Sequence, residues 1–458
     1  MQQQPLHSGT QHNAKPHPFR VRWTHSFELH PKPLKLFDIR REEVPALAWA
    51  FCYFFFLLCA YYVLRPVRDE MGIQGGTRNL PWLFTGTFVG MLIVTPLFGW
   101  ITSRWPRRTF LPVVYLFFIA NILFFYFAML SDSFDKTVVA ASFFIWISVF
   151  NYFVVSVFWS FMTDIFDSTA AKRLFGAIAA GGSIGAMTGP LITAALVKQI
   201  GIPNLLLISA TLMGCAIVCV VGLGRWARQA TQDTEADTKA LGGTVLDGIR
   251  LAVRSPYLLS ICGYIFLLQA LGTFFYLEQV RIMSETMPSS AERTQLFAQL
   301  DLAVNTLTLV TQLFATGAMM KRLGIVFCLA ILPAVCIVTL GVTAILPTLA
   351  VISVATVLRR ACEFAVGKPA REILFTVVTR EERYKSKNFI DTVVSRGADV
   401  VSTWSHAGLR GLGFGPSQIA ILCIPLSIGM IAAGMYLGRE QEKRAGNTGP
   451  SGNAAHAT

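Results

Sequence analysis

The sequence predicts an all-α membrane protein with twelve transmembrane helices in two six-helix bundles. Three observations carry that prediction. Long apolar runs recur from Val44 to Gly438, only 14% of the residues are charged, and the mean hydropathy is +0.54. A bilayer-spanning helix needs roughly 20 apolar residues, which is the length of these runs. The runs are also continuous, whereas the strands of a spanning β-barrel alternate apolar with polar residues. Finally, one long polar interruption, residues 225–255, divides the runs six and six.

Taken in order, the spans fall at about 44–64, 80–102, 109–130, 137–163, 173–198 and 203–224, then 256–279, 296–319, 324–346, 348–378, 388–408 and 416–438. Residues 1–43 are polar, rich in His and Pro, and read as a disordered cytoplasmic tail; 439–458 read as a second one. Five of the seven histidines lie in the first tail, with no second ligand type beside them, so a solvated tail is preferred to a metal site. The 225–255 linker holds "RQATQDTEADTK" and then the amphipathic "VLDGIRLAV". Nine cysteines lie mostly within apolar runs, without C-x-x-C or zinc spacing, and read as reduced packing residues.

The net charge of +13 does not imply a nucleic-acid partner. Much of it sits in short loops beside spans, where it sets orientation. Arg104, Arg107, Arg108, Lys172, Arg173, Lys321, Arg322, Arg380, Arg383, Lys385 and Lys387 fall on one side, with Arg439, Lys443 and Arg444 of the tail. Arg65, Arg68, Arg78, Arg281 and Arg293 on the other side dilute the contrast. Both termini are therefore expected in the cytoplasm.

The halves echo each other. "GWITSRWPRR" follows span two and "GAMMKRLG" follows span eight, each giving Gly-x-x-x-x-Arg at the corresponding loop. Parallel repeats predict such a match. At Gly99, Arg104, Arg107 and Arg108 the first of these resembles the loop motif of the major facilitator superfamily, and departs from it at Ser103 and Pro106. The resemblance implies the major facilitator fold and a gating role for those four residues.

The chemistry is expected in span ten. "LRRACEFAVGKPAREILF" packs Arg359, Arg360, Glu363, Lys368, Arg371 and Glu372 into an apolar helix. Arg359 lies eleven steps from Thr348, roughly 16 Å deep at 1.5 Å per residue. A cation facing lipid at that depth costs at least ~2.5–3.5 kcal/mol, so these side chains should face protein or a watery cavity. On a straight helix Arg360 and Arg371 fall about 20° apart, with a kink expected at Pro369. Arg359 and Glu363 can pair, which leaves Arg360, Lys368 and Arg371 as surplus cations. Two readings stand: a cavity for an anionic substrate, for which the planar guanidinium suits phosphate or carboxylate, or an ion-pair network locking the halves.

Span eleven adds Asp391 near its inner end, Arg396 and Asp399 three apart on one face, and His406 near its outer end. Arg65, Arg68, Asp69 and Glu70 after span one read equally as an outer gate or as a solvated loop, and Glu278 has the same standing. "GAIAAGGSIGAMTGP" (Gly176–Pro190) lacks the Lys-Ser/Thr of a phosphate loop and reads as tight helix packing. No nucleophile sits beside a base, so no enzyme is expected, and no cofactor.

"KPAREILFTVVTREERYKSKNFIDTVVSRG" (Lys368–Gly397) resembles the ATP/ADP antiporter (nucleotide transporter) family, and more closely its free-living bacterial members. The matching positions are Pro369, Arg371, Glu372, Lys385, Lys387, Ile390 and Asp391, joined by "LRPVRDEMG" and "AAKRLFG". The nucleotide carriers have Leu-Arg-Asp-Thr where this chain has Leu64, Arg65, Pro66 and Val67. The resemblance implies a monomeric multi-pass carrier of the bacterial inner membrane that exchanges ATP for ADP by alternating access, with basic residues holding the phosphates. The expected substrate is a small organic anion, held by Arg359, Arg360, Glu363, Lys368, Arg371, Arg396 and Asp399. Gating is expected at Arg65, Arg68, Asp69, Glu278, Lys387 and Asp391. Proton-coupled symport of a smaller anion, and a non-transporting sensor on a carrier scaffold, are the alternatives.

Overall fold

The computed structural model describes residues 40–104, 107–166, 168–230, 250–251 and 253–447, without the side chains of 98–104, 107–109, 168–169, 172, 228–230, 380–381, 384–385, 388 and 447. The expectations placed on the His-rich tail, on most of the 225–255 linker, and on the side chains at Gly99, Arg104, Arg107, Arg108 and Lys385 lie outside what is described.

All regular structure among the described residues is helical. The long helices of the first half are α1 (Val44–Gln74), α2 (Leu80–Arg104), α3 (Arg107–Leu130), α4 (Lys136–Ile165) and α5 (Ser168–Ala230). The second half holds α6 (Pro256–Thr286), α7 (Ser290–Thr311), α8 (Gly317–Ile345), α9 (Leu349–Cys362), α10 (Lys368–Leu374), α11 (Arg380–Phe389), α12 (Ser395–Gly411) and α13 (Pro416–Asn447). Among the described residues, eight helical stretches are long and apolar enough to cross a membrane. Two of them, Arg173–Ala227 and Ser290–Ile345, run 55 and 56 residues. Straight, each would be roughly 80 Å long against a ~30 Å hydrocarbon core. Each instead breaks at a glycine of positive φ, Gly201 (78°) and Gly324 (77°), a conformation a side chain resists. Phe117, Phe127 and Phe314 are 61%, 65% and 80% exposed, as suits helices whose outer faces meet lipid.

One buried core is drawn from residues 46–223 and a second from 257–437. A small third cluster joins them through Leu80, Leu83, Phe84 and Phe144 on one side and Leu277, Val280, Met283 and Phe297 on the other. This junction lies at the end of the molecule where α1 turns into α2 at Gly76 and α6 turns into α7; we call it the Gly76 end, and the opposite one the Gly324 end.

The first helix corrects an expectation. The span predicted over 44–64 continues as helix to Gln74, through Pro66, and the charged cluster after it is no solvated loop. Asp69 and Glu70 are buried because each has a cation beside it, Arg68 of the same helix for Asp69 and Arg293 of the other half for Glu70, as described below.

The small-residue stretch behaves as tight helix packing. A Cβ at Gly181, Gly185 or Gly189 of α5 would stand 2.6, 2.3 and 2.7 Å from the carbonyl oxygens of Phe51, Phe55 and Cys59 of α1. The obstacle is backbone, so neither helix can yield locally. Close approach of this kind is what small residues provide between membrane helices. Thr193 Oγ1 and Ser209 Oγ on α5 also donate to the carbonyls of Val63 (3.1 Å) and Ala60 (2.9 Å) on α1. Gly185→Val is expected to force the helices apart at a cost of about 1–3 kcal/mol, read as a lowered melting temperature of the detergent-solubilised protein. An unchanged melting curve would refute the packing account.

Candidate functional site

The buried charges gather on α1, α6, α7, α9 and α12. At the centre, Arg360 of α9 lies 2.8 Å and Arg65 of α1 lies 3.6 Å from the same oxygen of Asp301 on α7. The two arginines come from opposite halves. Asp301 is almost wholly buried, and its second carboxylate oxygen has no partner among the described residues. Next to this triad, Arg68 stacks on the Phe144 ring at 4.3 Å and lies 3.7 Å from Asp69, which accepts from Tyr276 Oη at 3.3 Å.

The expected pairs within one helix form: Arg359 to Glu363 at 2.8 Å, and Arg396 to Asp399 at 3.1 Å. Asp399 also accepts from Thr273 Oγ1 at 2.8 Å. Gly272 of α6 leaves room for the Arg359 guanidinium, since a Cβ there would sit 3.2 Å from it. The expected surplus of cations is corrected in part. Arg360 has Asp301, and Arg371 has Asp391 at 3.7 Å; Lys368 is exposed. Both carboxylates lie on other helices, where spacing along span ten cannot reveal them.

Span ten is also not a straight helix. The turn Glu363–Gly367 between α9 and α10 is a π turn, in which Lys368 N–H reaches back to the Glu363 carbonyl. The wide turn sits just before Pro369, whose ring excludes the usual bond to the Ala365 carbonyl. Thr316 Oγ1 donates to that carbonyl instead at 2.9 Å, and Gln312 Nε2 donates to the Phe364 carbonyl at 3.1 Å. Arg360 and Arg371 are eleven residues apart, roughly 16 Å along a helix at 1.5 Å per residue, so they do not share one partner.

The motif in 368–397 closes on itself through crossed pairs. Arg371 meets Asp391, and Glu372 accepts from Lys387 at 2.6 Å. The adjacent basic and acidic residues of α10 thus each find an opposite charge beyond the Val378–Thr379 turn. These pairs tie α10 to α11 and to the π turn Ile390–Val394 at the Gly324 end.

At the Gly76 end the halves are joined. Glu70 of α1, fully buried, takes two hydrogen bonds from Arg293 of α7, at 2.6 and 2.7 Å. The remaining Arg293 nitrogen donates to the carbonyls of Met287 (2.6 Å) and Pro288 (3.0 Å). Gln74 donates to Ser290 and Gln295 to the Ala194 carbonyl, while Asn305, one turn beyond Asp301 along α7, donates to the Ala186 carbonyl. Trp404 of α12 packs edge-on against Trp82 of α2 and donates to Thr85 at 3.2 Å. The ion pairs named here between the halves, Glu70–Arg293 and Arg65–Asp301, lie in this end and at the triad. Glu278, fully buried on α6, is held by Arg281 at 3.0 Å and by His406 of α12 at 2.8 Å. A separate cavity of about 300 Å³, lined by Met71, Gln74, Met129 and Ile202 among others, opens beside this junction and touches none of the triad.

Sequence reasoning missed Asp301, and it placed Arg293 in a loop as a mere orientation charge. A single acid in "FAQLDLAVNTLTLV" is a signal by the rule that intramembrane charge is costly, and that rule alone would have found it. Pairing Glu70 with Arg293 required the tertiary structure.

Arginines from two halves around one buried carboxylate, in a helical protein closed at one end, define a class: a multi-pass secondary membrane transporter. The chain belongs to the Major Facilitator Superfamily, whose profile matches residues 50–368. It is 21% identical over 495 residues to ADP,ATP carrier protein 2 of Chlamydia pneumoniae, covering 90% of this chain and 91% of that protein. Its fold is similar to that of the nucleoside transporter NupG (12% identity, 88% of this chain and 99% of that one, TM-score 0.57). It is similar also to an auto-inhibited POT family peptide transporter (15% identity, 87% and 97%, TM-score 0.62).

Proposed function

We propose that this chain carries an organic anion by alternating access, with exchange of ATP and ADP the first reading. The observation that carries it is the triad: Arg65 and Arg360, from opposite halves, share the single charge of Asp301. One positive charge is left over. A buried excess cation at the junction of two halves is a seat for an anion, and rocking the halves about it alternates its exposure. The similarity to the Chlamydia pneumoniae ADP,ATP carrier supports nucleotides as that anion.

The finer architecture follows the same reading. The stretches that reverse at Gly201 and Gly324 count as two spans each. The α9–α10 and α11–α12 segments, too charged to qualify by apolarity, complete twelve spans in bundles 44–224 and 256–438. With both termini in the cytoplasm of a bacterial inner membrane, the closed Gly76 end faces outward. Arg359, Glu363, Lys368, Arg371, Arg396 and Asp399 then flank the anion's path. Glu70, Arg293 and Glu278 hold the outer gate, with Lys387 and Asp391 at the inner one. A second reading, proton-coupled symport of a smaller anion, is favoured by the buried Glu278–His406 pair, a carboxylate and an imidazole in direct contact.

The test is uptake of labelled ATP into proteoliposomes. Exchange predicts uptake only when ADP or ATP is loaded inside, and no response to an imposed pH gradient. Purified protein should be stabilised thermally by ATP and ADP but not by adenosine, because a ligand that binds only the folded state raises its stability by mass action. Uptake driven by pH with empty vesicles would favour the second reading; no shift with any phosphate would end both.

A further inference from the structure

Asp301 occupies an unusual position for a residue that no motif in the chain announces. Its side chain is 2% exposed, whereas those of Arg65 and Arg360, which it serves, are 17% and 13% exposed. The cations are reachable and the anion between them is not. Both arginines approach the same oxygen, Oδ1, and Oδ2 is buried without a partner. Arg65 Nε is buried without a partner as well. A structural ion pair in a low-dielectric interior would use these valences. Here they are left open around a carboxylate that stands where a ligand's anionic group would stand.

The neighbouring charges do not alter the local sum. Arg68 has Asp69, Arg359 has Glu363, and Arg293 has Glu70. The triad alone holds two positive charges against one negative.

We propose that Asp301 is the charge-selecting residue of the carrier: a resident counter-anion that takes one of the two positive charges and so sets how steeply affinity rises with each negative charge of the substrate. This rests on the reading of the triad as the anion's seat. With Asp301 in place, the triad offers a polyanion one net positive charge; without it, two. Asp301→Asn therefore moves preference up a ladder of phosphates, each of which adds negative charge at the end nearest the arginines. Asp301→Glu keeps the ordering. In the double variant Arg65→Gln, Asp301→Asn the single leftover charge is restored, and the ordering returns towards the original.

The experiment measures thermal stabilisation of the purified full-length protein and these variants by AMP, ADP and ATP, and in parallel by inorganic phosphate, pyrophosphate and triphosphate. The expected result for Asp301→Asn is a change in the triphosphate-to-monophosphate affinity ratio of about tenfold or more towards triphosphate, the scale of one unit charge acting across a partly screened site. Asp301→Glu should stay near the parent ratio, which ties the change in Asp301→Asn to the lost charge; a merely structural aspartate moves the ratio in neither variant. If nucleotides bind and Asp301→Asn scales all of them equally, the proposal fails while the nucleotide reading stands. If the inorganic series shifts as expected and a nucleoside adds nothing, the proposal stands and nucleotides fall. If none of the six anions stabilises the parent protein, both are overturned. Should Asp301→Asn not fold, the double variant carries the test, and a ladder unlike the parent's overturns the proposal.

Discussion

Glu70→Gln is expected to destabilise the closed Gly76 end by about 3–5 kcal/mol, the cost of leaving one member of a buried ion pair without its partner. Arg293 would keep its bonds to the Met287 and Pro288 carbonyls and lose the only charge that balances it. In a carrier with two states, the cost falls on the state in which this end is closed. The open state, where Arg293 meets water, should therefore gain about 10²–10³-fold in relative population. Labelling a cysteine introduced at Ser290 with a membrane-impermeant maleimide reads this directly, because Ser290 sits beside the latch and accepts from Gln74. Faster labelling in Glu70→Gln and near-parent labelling in Glu70→Asp are expected. Equal rates in all three proteins would mean that the pair does not hold the halves together.

Arg360→Gln is expected to cut nucleotide affinity by about 30-fold or more, since truncating one partner of a buried charge contact typically costs 2–5 kcal/mol. The same substitution should leave folding intact. Removing Arg360 leaves Arg65 and Asp301 as a balanced pair, so the buried excess charge disappears along with the anion's seat. The variant should melt at or above the parent temperature without ligand and lose the shift produced by ATP and ADP. This pairing of outcomes separates a binding role from a structural one. A lower melting temperature with a preserved ligand shift would show that Arg360 serves the scaffold.

Much of the fold was legible in the sequence. Hydropathy found the membrane-crossing helical stretches, because a bilayer imposes one length and one chemistry on whatever crosses it. The glycines of 181–189 announced close helix contact, and the 78° φ at Gly201 falls between two predicted spans. Pairs within a helix turn, Arg359–Glu363 and Arg396–Asp399, followed from the helical repeat alone. The end of the first span did not, because burial of Asp69 and Glu70 depends on Tyr276 and Arg293, more than 200 residues away in the chain.

The site divides along the same line. By itself the sequence determined that charges sit at membrane depth in span ten and that something must neutralise them, since their cost in hydrocarbon is local and follows from composition. Only the tertiary structure decided which carboxylate answers which cation. It gave Arg360 to Asp301, shared that acid with Arg65 of the other half, and set Arg371 against Asp391 across the Val378–Thr379 turn. Ion pairing between helices depends on distance in space, and sequence spacing carries no record of it beyond one helical turn.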